Sequence, residues 1–365
     1  MSDLYIGFMS GTSLDGLDAS LIRTDGINEF ESIDNLHFPY PVEFKAKMRE
    51  LLSNIGPFGT LEKQLTEFHI DATHQLLQQA KLTPKDIKAI GFHGQTIFHK
   101  PEDGITLQIG NPYLLAENTS IDVIYDFRRR DVALGGQGAP LVPIFHKLLM
   151  QNQDYPVAVI NIGGVANITY IDENNLEAFD TGPGGALIDD SMLKYYKQNF
   201  DKDGKIAAKG TVDHSIVQHT LTHKYFSAPY PKSLDRNEFS YLNELLVKHK
   251  PADIIATLTY ITSTSIAHAL NQLPKHPKKV FLCGGGSHNL QLVSWLEEIL
   301  MKQSVKCQIA NISDINQLDS DYIESQAFAY LAARFFQNLP SAFPSTTNAD
   351  KANLCGCLVR ASLVS

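Results

Sequence analysis

Two Gly-rich turns of the same design carry residues that can do chemistry. Residues 4–22 (LYIGFMSGTSLDGLDASLI) and 157–171 (VAVINIGGVANITYI) each set a polar, Gly-rich turn between two apolar strands. In the first turn, Gly11, Thr12, Ser13, Leu14, Asp15, Gly16, Leu17 and Asp18 combine glycines, hydroxyls and carboxylates. Backbone N–H groups in such a turn point into a concavity and, with no side chain in the way, approach phosphate oxygens closely. Asp15 and Asp18 suit a hydrated Mg²⁺, which takes few carboxylates and keeps several waters. The plainer reading is an ordinary hairpin turn, where Gly and Asp are common for conformational reasons. The stretch is not a P-loop, because G-x-x-x-x-G-K-[ST] is absent and a strand follows. The second turn holds Asn161, Gly163, Gly164 and Asn167, and a third Gly-rich strand end, Gly284-Gly285-Gly286, follows the apolar run KKVFLC. Two such hairpins face to face clamp an anion, so a polyphosphate nucleotide is the first ligand to consider.

Other polar groups stand at expected strand and helix ends. Asp180 precedes Thr181-Gly182-Pro183-Gly184 and a helix expected to begin at Pro183. It is either a helix cap accepting a backbone N–H or a general base, since a carboxylate with an ordinary pKa of about 3.9 is ionised at neutral pH and accepts protons. Thr96 (in HGQT), Asp126 to Asp131 (DFRRRD) and Glu324 add to the set. Arg129 or Arg130 is suited to bidentate recognition of a carboxylate or phosphoryl group, or else belongs to a solvated cluster with Asp126 and Asp131. His69, His74 and His268 sit in helical patterns without a set of metal-ligand partners and read as structural or exposed.

These residues must be positioned by alternating strands and helices, the pattern of an α/β protein. A helix is expected over 60–81 behind a Thr60 cap, another opening at Asn111-Pro112, and a long one from Pro251 to Leu273. The tail from Leu339 has no strong pattern. With 365 residues, two domains are expected, one of 1–131 plus about 325–365 and one of 132–324. A hydrophobic fraction of 43% and a charged fraction of 19% are those of a folded globular protein. The net charge of −9 argues against nucleic-acid binding, which needs a basic face. No apolar run is long enough for a membrane span and no leader is recognisable, so a cytoplasmic protein is expected. The four cysteines lack zinc or redox spacing and read as reduced thiols.

The chain resembles the anhydro-N-acetylmuramic acid kinase family, within the actin, hexokinase and Hsp70-like ATPases. The resemblance runs in order through IGFMSGTSLDGLDASL, GFHGQTIFH, DFRRRDVALGGQGAPLVP, NIGGVANIT, FDTGPGGALID, LCGGGSHN and ESQAFAYLA. It implies an α/β protein of two RNase H-like lobes around a central nucleotide cleft, with ATP as co-substrate, Mg²⁺, and a homodimer. The implied reaction takes 1,6-anhydro-N-acetylmuramic acid, ATP and water to N-acetylmuramic acid 6-phosphate and ADP, a step of cell-wall recycling. Residue by residue, the stretch 11–18 matches the first phosphate loop, Gly163 and Gly164 the second, and Gly284 to Gly286 the adenosine site. Asp180 matches the catalytic aspartate, and Thr96, Asp126, Arg129 or Arg130, and Glu324 fall in sugar-site segments. Gly185 departs from the Asn common in the family, and Ser191 lies where an aromatic is frequent nearby. The alternatives are a kinase for another anhydro-sugar such as levoglucosan and a non-enzymatic ATP-driven switch.

Overall fold

The computed structural model describes residues 2–11, 14–315 and 318–362. They form two compact units, one of 1–151 with 322–365 and one of 152–321. Strands are numbered in chain order.

In the first unit, β1 (Asp3–Met9), β2 (Gly16–Thr24), β3 (Phe30–Pro39), β4 (Ile87–Phe92) and β7 (Val123–Tyr125) make a sheet in the order β3-β2-β1-β4-β7. β1 and β2 are antiparallel, as are β2 and β3, while β1, β4 and β7 run parallel. A last short strand, β13 (Cys357–Val359), adds antiparallel to β7. β5 (Gln95–Lys100) and β6 (Ile105–Ile109) form a separate hairpin.

β1 is apolar on both faces because both are covered. Leu4, Ile6 and Phe8 join a core with Leu65, Ala72 and Leu76 of the helix Gly59–Ala80. On the other face lies the helix Ile323–Phe336. Gly7 and Gly91 are register partners on β1 and β4. A Cβ on Gly7 would come 2.0 Å from Ser325 O, and one on Gly91 2.1 Å from Phe328 O. The two glycines therefore make the flat seat on which that helix lies.

In the second unit, β8 (Val157–Ile162), β9 (Val165–Ile171), β10 (Leu176–Pro183), β11 (Lys279–Cys283) and β12 (Gln308–Asn311) take the order β10-β9-β8-β11-β12. β8 is antiparallel to β9 and β9 to β10, and β8, β11 and β12 are parallel. Strand order and direction repeat those of the first unit, so each unit is the same RNase H-like α/β lobe, as expected. The helices Pro251–Gln272 and Leu290–Lys302 bury Ile266, Leu270, Leu292 and Leu296 against Ile160 and Ile168.

Several local expectations shift. Residues 132–151, expected with the second lobe, pack with the first, because Phe145 of the helix Pro143–Leu149 sits edge-on to Phe30 (5.2 Å) and against Tyr330 (5.5 Å). Thr60 lies inside the first turn of its helix, whose cap position is Phe58 without a side-chain bond. Asn111 does cap the helix Pro112–Thr119, accepting the Leu114 N–H at 3.0 Å. Pro183 ends β10 rather than opening a helix, and the helix that follows is Ala186–Tyr196.

Candidate active site

In the second unit, four neighbouring strands bring a row of side chains across one end of the sheet. Asp180 pairs with Asn167, Asn167 with Asn161, and Asn161 with Cys283. The Gly-rich turns continue from this line where β8 and β11 end. The 163–164 turn is fixed from below by the segment after β10: Gly184 N–H donates to Gly164 O (3.1 Å), Gly185 N–H to Gly163 O (2.7 Å) and Ala186 N–H to Gly164 O (3.2 Å). A Cβ on Gly184 would lie 2.3 Å from Gly163 O, so this close approach needs glycine. The triple glycine divides by role. Gly284 has φ of 75°, and side chains on Gly284 and Gly286 would strike Asn161 Oδ1 and Ile162 Cγ2, each at 2.2 Å. Gly285 has nothing within 4 Å of where a Cβ would stand, and its backbone is open to approach.

Asp180 is a residue of β10 and caps no helix, which overturns the capping alternative. The register slips between Asp180 and Gly182, a bulge that re-aims the strand end. Its Oδ2 accepts the Leu234 N–H at 2.7 Å, its own N–H donates to Lys232 O at 2.9 Å, and Tyr225 Oη donates to its carbonyl at 2.5 Å. Burial pushes the carboxyl up to about 7, against the Leu234 N–H, which favours the charged form. A carboxyl so placed exchanges its proton near neutrality.

In the first unit, the ends of β1, β4 and β7 lie side by side, and their following residues carry the polar groups. Ser10 Oγ donates to Gln95 Oε1 (2.6 Å) and accepts from Tyr40 Oη (3.0 Å). In the turn after β1, Leu14 has φ of 56° and its N–H donates to Gly11 O at 3.3 Å. Thr12 and Ser13 lie outside the described residues. Leu14 and Leu17 are buried in the core, so only their backbone can meet a ligand. Asp15 is exposed and its Oδ1 accepts the Gly16 N–H at 3.0 Å. Asp18 Oδ1 is 2.7 Å from His37 Nδ1, an ion pair that raises the His37 pKa. Among the described residues, no group of three or more His, Cys, Asp or Glu is gathered as a metal cluster.

A cavity of about 240 Å³ opens beside β4, β6 and β7, lined among others by Glu62, His93, Gln108, Tyr125, Asp126 and Arg129. Asp126 has φ of 57°, and its Oδ2 lies 3.8 Å from Arg129 Nη1. Arg130 turns elsewhere and donates to Leu354 O at 2.8 Å. Asp131 is buried and accepts from Gly138 N–H (2.7 Å), Thr347 Oγ1 (2.8 Å) and Asn353 Nδ2 (2.9 Å). The solvated four-residue cluster is thus reduced to the Asp126–Arg129 pair. Thr96 Oγ1 accepts from Gln108 Nε2 at 3.2 Å, one bond behind the cavity wall.

A profile described as anhydro-N-acetylmuramic acid kinase matches residues 3–361. The anhydro-N-acetylmuramic acid kinase of Rhodopseudomonas palustris (strain BisB18) is 43% identical over 355 residues, covering 94% of this chain and 95% of its own. That of Bradyrhizobium diazoefficiens (strain JCM 10833 / BCRC 13528 / IAM 13628 / NBRC 14792 / USDA 110) is 42% identical, covering 97% and 98%. The chain belongs to this family. It is therefore an enzyme, a kinase with ATP as co-substrate, and the non-enzymatic switch is set aside. Among solved structures, component A of the Acidaminococcus fermentans (R)-2-hydroxyglutaryl-CoA dehydratase superposes with a TM-score of 0.48 at 14% identity, over 91% of this chain and 98% of that one.

The kinase also has site groups that sequence reasoning passed over. Arg128 is half-buried and donates from Nε to His93 Nε2 (2.9 Å) and from Nη1 to Gly138 O (2.6 Å). Burial and the Arg128 charge keep His93 neutral, with Nδ1–H donating to Gly94 O at 2.7 Å. Glu324 stands near enough for its charge to favour the Arg128 guanidinium. In the second unit, Tyr225, Lys232 and Leu234 surround Asp180 from 45 to 54 residues away. The run of three arginines was visible, but which of them turns inward depends on the turn of a short helix, Arg129–Ala133.

Proposed function

We propose that the kinase converts 1,6-anhydro-N-acetylmuramic acid, ATP and water to N-acetylmuramic acid 6-phosphate and ADP, with Asp180 as the general base. The observation that carries this role is the Asp180 carboxyl itself, at the sheet edge, desolvated to a pKa of about 7 and oriented by the Leu234 N–H. A base whose pKa lies near the working pH is the most effective proton acceptor. Asp180 takes a proton from the water that attacks the anomeric carbon. The bond from that carbon to O6 breaks, and O6 keeps the electron pair and bonds to the γ-phosphorus as ADP departs. Inverting glycoside hydrolysis ordinarily needs a second carboxylic acid to protonate the leaving oxygen. Here the phosphoryl group captures that oxygen, and one carboxyl suffices.

The remaining residues bind and position. Gly163 and Gly164 offer backbone to phosphate, and Gly285, between the packing glycines Gly284 and Gly286, lets adenosine approach. In the first unit the turn 11–18 serves phosphate through its backbone. Arg129, beside Asp126 in the cavity wall, recognises the carboxylate of the sugar's lactyl group, while Thr96 and Glu324 steady the wall from behind through Gln108 and Arg128. Asp15, on the turn, and Asp18, at the start of β2, are partly exposed hard oxygen donors that would suit Mg²⁺ held partly through water. Bound there, Mg²⁺ would supply positive charge against the transferring phosphoryl group. A cytoplasmic homodimer completes the reading, in keeping with the family resemblance.

The test is ADP release from Mg-ATP with 1,6-anhydro-N-acetylmuramic acid, levoglucosan or N-acetylmuramic acid, with products identified by mass. A product that gains both water and phosphate from the anhydro-muramic substrate alone is expected. Activity with levoglucosan alone would move the substrate, and phosphorylation of N-acetylmuramic acid would separate transfer from ring opening.

A further inference from the structure

Lys232 is buried, with 8% of its surface exposed, and it has no carboxylate partner among the described residues. Its Nζ donates to two carbonyls, Tyr225 O at 2.9 Å and Ala228 O at 3.1 Å, and lies over the rings of Tyr225 (4.7 Å) and Phe179 (5.9 Å). Burying an ammonium without a counter-charge is costly, so a site that keeps one has a use for its hydrogen bonds. Those bonds close a ring around Asp180. The ammonium fixes the backbone at Tyr225 and Ala228, Tyr225 Oη donates to Asp180 O, Asp180 N–H donates back to Lys232 O, and two residues on, Leu234 N–H meets Asp180 Oδ2. Among the described residues, the one donor to the carboxyl thus belongs to a loop that Lys232 ties down.

We propose that Lys232 is the positioning residue for Asp180, its buried ammonium holding the 225–234 loop so that the Leu234 N–H is presented to the carboxyl. This rests on the reading of Asp180 as the base. Lys232 touches neither the carboxyl nor, on that reading, the substrate, and it acts through the loop. The other titratable group beside Asp180 is Tyr225, while Glu177, three residues back on β10, falls on the opposite face of the strand, and His268 on the long helix is engaged with Phe226 O at 3.2 Å. Burial raises the carboxyl's affinity for its proton and the Leu234 N–H lowers it. Loss of that N–H therefore weakens the charged form and moves the titration upward.

The experiment is the pH profile of kcat/KM for the anhydro-sugar in the full-length enzyme, for wild type, Lys232→Met, Lys232→Gln and Asp180→Asn. Lys232→Met keeps the apolar stem and loses the donors. Its acid limb should move up by about one pH unit, the worth of one hydrogen bond to a charged acceptor, with roughly tenfold lower rates below the limb, near-recovery at high pH and an unchanged KM for ATP. Lys232→Gln retains amide donors and should shift the same way by less. If the Met variant does not fold, the Gln variant decides. A limb that stays at the wild-type position in the folded variant overturns the proposal, as does a loss of rate equal at every pH, which is what a merely structural role gives. Asp180→Asn separates the two readings: if it keeps the limb, Asp180 is not the base, whereas if it loses the limb and the Lys232 variants do not move it, only this inference fails.

Discussion

The two units share one strand order and direction, and each carries an aspartate near its Gly-rich edge, yet the two carboxyls are chemically different groups. Asp18, on the second strand of the first unit, pairs with a His37 side chain that is 41% exposed. Asp180, on the third strand of the second unit, has a loop folded over it and a carboxyl raised to about 7. The scaffold supplies positions at a sheet edge, and what packs above each position decides the chemistry. A surface ion pair holds its charge at little gain, whereas desolvation changes which protonation state a carboxyl prefers.

The comparison breaks most sharply at Asp180. Asp180→Asn should lower turnover by roughly 10²–10⁴-fold with little change in ATP affinity, the usual worth of a general base. Steady-state kinetics of ADP release measure it, and near-normal turnover would put Asp180 on a par with Asp18.

The same variant should be more stable than wild type at pH 8 and nearly equal at pH 4. The folded pKa of Asp180 lies above its ordinary 3.8, so its contribution to stability is fully present below about 4 and is lost as pH rises through about 7. Asn carries no such loss. The gain at pH 8 should be of the order of 2–4 kcal/mol, read from denaturant melts at both pH values.

A comparable effect of opposite sign should come from the seat of the first unit's helix. Gly91→Val places a side chain where Phe328 O stands 2.1 Å from the Cβ position, and overpacking of this kind costs about 1–3 kcal/mol or more. Thermal melting measures it, and an unchanged melting temperature would mean that the helix does not rest there.

Arg129→Ala should raise the KM for the anhydro-sugar by roughly tenfold, as one charged hydrogen-bonding contact is lost, while Arg130→Ala, whose guanidinium serves Leu354 O, should leave it within about twofold. Equal effects would undo the assignment of the cavity wall. The smallest effect belongs to His37. Its pKa is raised by Asp18, so the pair stabilises fully below the ordinary 6.5 and loses this as pH rises through the raised value. His37→Gln should therefore cost under about 1 kcal/mol at pH 6 and nothing measurable at pH 9, since the pair is solvent-screened.

Much of this layout was legible in the sequence because period and punctuation are local. The two hairpins, the turn at 163–164, the helix opening at Pro112 and the strand before Gly284 all follow from apolar runs bounded by Gly, Asn or Pro. Asp180 was picked out from the same local pattern, yet that pattern also fitted a helix cap. What rules out the cap is the place of Asp180 on β10, where the N–H of Leu234, 54 residues away, reaches the carboxyl. Arg128, Arg129 and Arg130 are identical in composition and adjacent, and only tertiary packing sends the first inward, the second to a cavity and the third to Leu354. The tail after Leu339 showed no period because its strand β13 is three residues long and is held by β7, with Asn353 bound to the buried Asp131. The boundary expected at 131 moved to 151 for a similar reason: Phe145 finds its partners at Phe30 and Tyr330, far away in sequence.

The most direct test of the central claim is kcat/KM for 1,6-anhydro-N-acetylmuramic acid between pH 5 and 9 in wild type and in Asp180→Asn at saturating Mg-ATP. An acid limb near pH 7 in wild type, absent from the residual activity of the variant, is the predicted result. A wild-type rate that stays level down to pH 5, or a variant with the same limb, would contradict it.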